Sequence, residues 1–112
     1  MSCVFCEIVS GQGPANMVRE WPDVIAFTPL KPAVDGHTLV VPRRHVDDFA
    51  EDPELTAATV LRAAELAAEM GGPMNAITSK GREASQTVFH LHIHLVPRRA
   101  DDDVRLWLRN KE

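Results

Sequence analysis

Within Val88–Pro97, histidine alternates strictly with apolar residues: Phe89-His90-Leu91-His92-Ile93-His94-Leu95. Side chains of a strand point to opposite faces with a period of two. As a strand, the segment puts His90, His92 and His94 on one face and Phe89, Leu91, Ile93 and Leu95 on the other. The apolar face must lie on a core. As a helix, successive histidines would be about 200° apart and would form no face.

The remaining elements follow from the same patterning. Glu7–Gly11 reads as a helical turn stopped by Gly11-Gln12-Gly13-Pro14. Met17–Glu20 and Val24–Phe27 read as short strands around the turn Trp21-Pro22-Asp23. Thr28–Ala33 is irregular, because Pro29 and Pro32 remove ladder donors. Asp35-Gly36 turns the chain into His37–Val41, a buried strand ended by Pro42. Asp52-Pro53 supplies an acidic N-cap and a first-turn proline for a helix running to about Met70. Gly71-Gly72-Pro73 stops it. Glu54, Arg62, Glu65 and Glu69 form one narrow stripe on this helix, and the apolar remainder predicts that it is largely covered. Met74–Ser79 starts another strand, and polar Lys80–Thr87 leads into the histidine strand. Arg98 and Arg99 read as a solvated strand end. Strands, one long helix, then strands again predict an α+β fold with an antiparallel sheet.

Composition narrows the field of functions. A chain of 112 residues with 45% hydrophobic residues supports one domain over 1–112. The net charge of −4 supplies no basic field for a nucleic-acid polymer. No apolar run has the length of a membrane span, so no membrane partner is expected. The N-terminus lacks the basic and apolar regions of a signal peptide, which predicts a cytoplasmic protein.

Three aligned imidazoles suit either metal ligation or nucleophilic catalysis, in which one ring attacks while its neighbours orient it and shuttle protons. No Asp or Glu lies close in sequence to complete a catalytic metal site at the triad. Cys3 and Cys6 form a Cys-x-x-Cys pair. One pair without an export signal does not make a disulfide framework. No strand precedes it, as a thioredoxin-type motif would require. Half of a zinc site is the better reading, with two ligands still to be found.

The segment His90-Leu91-His92-Ile93-His94-Leu95-Val96 resembles the histidine-triad signature of the HIT superfamily. Cys3-Val4-Phe5-Cys6-Glu7-Ile8, Gly36–Pro42, His45 and Gln86-Thr87-Val88-Phe89 match it in order and approximate spacing, over nearly the whole chain. The zinc-containing bacterial Hint-like branch is the nearest pattern, with 1–10 as the zinc-binding segment and 100–112 as a less diagnostic tail. The resemblance implies a five-stranded antiparallel sheet with one long and one short N-terminal helix, and a homodimer with sheets joined edge to edge. It also implies hydrolysis or transfer at the α-phosphate of nucleoside phosphoramidates or related conjugates, a purine nucleoside phosphate being the expected partner.

By the same resemblance, His92 is the nucleophile that forms a nucleotidyl-histidine intermediate, and His94 assists by hydrogen bonding and proton handling. Gln86, Thr87 and Ser79 are the substrate-binding set. Cys3, Cys6, His45 and His90 hold a structural zinc, and no organic cofactor is implied. A closed four-ligand site leaves no position for water or substrate. His37 fits a Gly-His position near the active-site face and is expected to be packed and hydrogen-bonded rather than catalytic. Three departures bear on substrate choice. Pro29 stands where a ribose-binding side chain is common, Ser79 where asparagine precedes the loop glycine, and Ser85 where glycine is usual. The other functions considered are a dinucleoside polyphosphate hydrolase and a zinc-stabilised nucleotide-binding module with little turnover.

Overall fold

A computed structural model describes residues 3–105. Its element order is α1 (Val4–Val9), β1 (Asn16–Glu20), β2 (Val24–Thr28), β3 (Thr38–Pro42), α2 (Pro53–Met70), β4 (Met74–Ile77), a 3₁₀ turn (Arg82–Ala84) and β5 (Ile93–Pro97). The five strands form one antiparallel sheet in the order β1-β2-β3-β5-β4. The expected α+β architecture is present. Of the expected tail over 100–112, residues 106–112 lie outside the described residues, as do residues 1–2 of the N-terminal segment.

The alternation of the central strands sorts two cores to the two faces of the sheet. Val24, Ala26, Val40, Ile93 and Leu95 pack with Ala63 and Leu66 of α2. Ile25, Phe27, Leu39 and Val41 pack with Phe5 and Ile8 of α1. α2 therefore covers one face, and α1 covers part of the other, beside the histidines.

α2 spans the expected residues because its ends are chemically marked. The Asp52 carboxylate accepts the Leu55 N–H at 3.2 Å, which satisfies one of the orphan donors of the first turn. Gly71, with φ 72°, ends the helix in a backbone region that penalises other residues. The expectation that α2 is largely covered is wrong for the single chain. Only Thr59, Ala63 and Leu66 are buried, one residue per turn, while Val60 and Leu61 are about half exposed. A lone helix on a sheet buries a single stripe. The polar stripe is engaged instead, with Arg62 bonding Asp23 and Glu65, and Glu69 pairing with Arg19.

α1 starts at Val4, three residues earlier than expected, because the Cys3 thiol caps it by accepting the Cys6 N–H at 3.4 Å. β3 is shifted by one residue from the expected span, running Thr38–Pro42, and β4 ends early, at Ile77. The larger difference is in β5, which covers only Ile93–Pro97 of the expected Val88–Pro97. Its pairing with β3 runs from Val40↔Ile93 to Thr38↔Leu95. Ahead of it, Leu91 N–H donates to Val46 O at 2.8 Å and the Thr78 hydroxyl donates to His92 O at 2.7 Å. Loop and side-chain groups thus take the backbone partners a ladder would supply. Leu91, Ile93 and Leu95 are buried as the pattern required, whereas Phe89 is exposed.

Arg98 is no solvated strand end. Its guanidinium bonds Asp102, Asn75 Oδ1 and Val104 O, and holds the Asp102 carboxyl well below the usual range.

Candidate active site and metal cluster

The three triad rings stand on the side of the sheet that carries α1. Phe5 meets the His90 ring edge-on at 5.9 Å and the His92 ring at 5.1 Å, and the His92 and His94 rings are 5.1 Å apart. Neighbouring backbone then decides the protonation of each imidazole.

His92 Nδ1 lies 2.8 Å from His90 O. A carbonyl only accepts, so Nδ1 carries the ring proton and Nε2 keeps its lone pair. Burial holds the His92 pKa below its ordinary value, so the ring is neutral at neutral pH. A neutral imidazole with a free, oriented lone pair can attack phosphorus.

His37 joins this site through His94. Ala33 N–H donates to His37 Nδ1 at 2.9 Å, so neutral His37 carries its proton on Nε2. That nitrogen is 3.0 Å from His94 Nδ1. His94 Nδ1 therefore accepts, and the His94 proton sits on Nε2. Burial, then the neighbouring His92 and His37, push the His94 pKa down to about 4. The expectation that His37 is packed and hydrogen-bonded holds, since it is buried with both nitrogens bonded. Its partner is a triad histidine. The chain bends into place at Gly36, where φ is +87° and an added Cβ would meet Pro97 at 3.1 Å.

His90 is diverted from this pair. It is fully buried, with Nε2–H donating to Pro42 O at 2.8 Å and Nδ1 3.5 Å from the sulfurs of both Cys3 and Cys6. His45 Nδ1 lies 3.3 Å from Cys6 Sγ. The four ligand atoms lie within 4.8 Å of one another. In a tetrahedral zinc site with ordinary Zn–S and Zn–N bonds, sulfur and nitrogen ligands are about 3.5 Å apart. The spacing and the donor set fit a metal ion. Burial and the neighbouring Cys3 push the Cys6 thiol up, a cost that a bound dication reverses.

The substrate-binding expectations divide by burial. Gln86 is 3% exposed, and its amide is committed: Oε1 accepts Gly81 N–H at 2.8 Å, while Nε2 donates to Asp47 O at 2.6 Å and Val88 O at 3.1 Å. It shapes the loop from inside. Thr87 is exposed and Ser79 half-buried on the same loop. Ser85 takes a left-handed conformation, φ 75°, where glycine would be unstrained. The residues that reasoning from the chain overlooked are Phe5, Asp47 and Thr78. Phe5 and Thr78 act through contacts between segments apart in the chain, Asp47 bonds both nearby His45 and distant Gln86, and only the Cys-x-Phe-Cys spacing hinted at Phe5.

Residues 10–101 match the family model described as HIT domain. An uncharacterized HIT-like protein of Methanocaldococcus jannaschii is 35% identical over 105 residues, covering 89% of this chain and 81% of its own. An adenosine 5'-monophosphoramidase of Schizosaccharomyces pombe is 34% identical over 100 residues, with coverages of 88% and 75%. A HIT family hydrolase from Clostridium thermocellum superposes with a TM-score of 0.80 at 31% identity, covering 89% of this chain and 93% of that one.

Proposed function

The chain belongs to the HIT family, and on that footing we propose that it hydrolyses nucleoside phosphoramidates at the α-phosphate through a nucleotidyl-His92 intermediate. The carrying observation is the His92 Nδ1–His90 O bond, which leaves Nε2 basic on a neutral ring. The Schizosaccharomyces pombe relative named as an adenosine 5'-monophosphoramidase supports the substrate class and a purine nucleoside.

In the first step, His92 Nε2 bonds to phosphorus as the P–N bond to the leaving amine breaks. His94 presents Nε2–H at this point. Its Nδ1 accepts the His37 N–H, so His94 stays neutral and its Nε2–H hydrogen-bonds the phosphate, while solvent supplies the proton taken up by the departing amine. In the second step water attacks phosphorus, the P–Nε2 bond breaks, and the water's proton passes to solvent while His94 Nε2–H still bonds the phosphate. Thr87 and Ser79 contact the phosphate from the loop that Gln86 shapes.

Cys3, Cys6, His45 and His90 form a site that could hold a metal ion. We assign it zinc in a structural role, because two thiolates and two imidazoles suit that ion and close the shell. Reduced cysteine ligands suit the cytoplasm. No described helix is long and apolar enough to cross a membrane. The homodimer is supported by the edge position of β4 and the exposed apolar positions Val60 and Leu61 on α2. The chain is taken as one domain over 1–112.

The test is incubation with an adenosine phosphoramidate. AMP release is expected, with loss of roughly 10³-fold or more in His92→Ala of unchanged fold. Normal turnover by that variant would remove His92 from the role. Nucleotide binding without turnover, on phosphoramidates and dinucleoside polyphosphates alike, would make the chain a binding module.

A further inference from the structure

The two histidines of the metal cluster are held differently. His90 is buried, and its Nε2–H is fixed by a main-chain carbonyl. The His45 side chain is 40% exposed, and the His90 ring meets it edge-on at 4.8 Å. Its Nε2 lies 3.1 Å from Asp47 Oδ1. A carboxylate accepts, which puts the proton on Nε2 and leaves the Nδ1 lone pair facing Cys6 Sγ.

Asp47 is itself pinned at two further points within an irregular segment. Its N–H donates to Glu51 Oε1 at 2.6 Å, and its carbonyl accepts Gln86 Nε2 at 2.6 Å. Gln86 Oε1 in turn holds Gly81 N–H. One residue thus touches a cluster ligand with its carboxylate and the buried support of the Thr87 loop with its carbonyl.

We propose that Asp47 is a positioning residue that holds His45 in ligand geometry and, through Gln86, ties the metal site to the loop carrying Thr87. The inference rests on the cluster's being a zinc site. It adds that the ion's occupancy sets the order of the substrate-side loop. His45 bonds the Asp47 side chain and Gln86 its main-chain carbonyl, so the two contacts meet in one residue. α1 has its own tie to the triad in Phe5, so the loop readout has to be specific to the Asp47 route.

Zinc affinity by chelator competition, for wild type, Asp47→Ala and Asp47→Asn, provides the test. Asp47→Ala should bind about 10–100-fold more weakly than wild type. Asp47→Asn keeps an acceptor for Nε2–H and should fall between them. Cobalt in place of zinc should give a tetrahedral absorption spectrum that Asp47→Ala perturbs. Equal melting of the metal-free forms would separate this from damage to the fold. In wild type, saturating zinc should slow hydrogen exchange of the Gly81 N–H, and Asp47→Ala should lessen that protection. Wild-type affinity and spectrum in Asp47→Ala would overturn the positioning role. Gly81 exchange indifferent to zinc would overturn the tie to the loop. A wild type that binds no zinc would fail the metal reading itself, a visibly different result.

Discussion

His37 Nε2 stands 3.0 Å from His94 Nδ1, and the Ala33 amide on the far side of the His37 ring decides which nitrogen holds the proton. The pair works as one unit in which His37 donates and His94 is left presenting Nε2–H. His37→Ala should therefore lower kcat by about 10²-fold while leaving KM near the wild-type value, because the lost group orients His94 and touches no substrate. Steady-state kinetics with a phosphoramidate would check this. A matched fall in affinity with unchanged kcat would contradict it.

The pH dependence follows from burial. His37, His90, His92 and His94 all have pKa values below the ordinary histidine value, His94 at about 4. Between pH 6.5 and 4 the unfolded chain binds protons that the folded chain refuses. Stability should thus be full above about pH 6.5 and fall as the pH drops toward 4. Urea denaturation of the metal-free protein at pH 5 and pH 7 would show it as a lower midpoint at pH 5. Turnover should persist below pH 6.5 for the same reason, and decline once His92 is protonated.

Chelation should unfold the protein at lower temperature. With zinc about a hundredfold over its Kd, binding contributes about 2.7 kcal/mol. Its removal should lower Tm by roughly 10–20 °C for a chain of this size. Scanning calorimetry with and without chelator measures the shift. Cys6→Ser, which removes one ligand, should abolish most of it.

Gln86→Ala should destabilise the fold by about 2 kcal/mol or more, since it strands the Gly81 amide and the Asp47 and Val88 carbonyls together. Chemical denaturation provides the measurement. A loss of phosphate affinity with unchanged stability would instead put Gln86 against the substrate.

The arrangement of the site also explains why one triad segment serves two ends. His90 lies with the sulfurs of α1, while His92 is bonded to the main chain and His94 to His37. Phe5, held between Cys3 and Cys6 in the chain, rests against both His90 and His92. A metal ion held by the cluster would therefore steady Phe5 and, through it, the surroundings of His92.

Local chemistry alone determined much of this protein. The alternation around His92 set one face of imidazoles against a face of buried Leu91, Ile93 and Leu95, because a strand has a period of two whatever it packs on. Asp52, Pro53 and Gly71 marked the ends of α2 for equally local reasons. Other features depended on segments meeting across the chain. The approach of His45 to Cys6, the His37–His94 bond and the Pro42 carbonyl that holds His90 are set by how α1, β3 and the loop after it lie beside the triad segment. So were the burial of Gln86 and the half-exposed flank of α2. A period records which way a side chain points. It carries no record of which distant carbonyl, ring or thiol will be waiting there, and that partner decides where each imidazole keeps its proton.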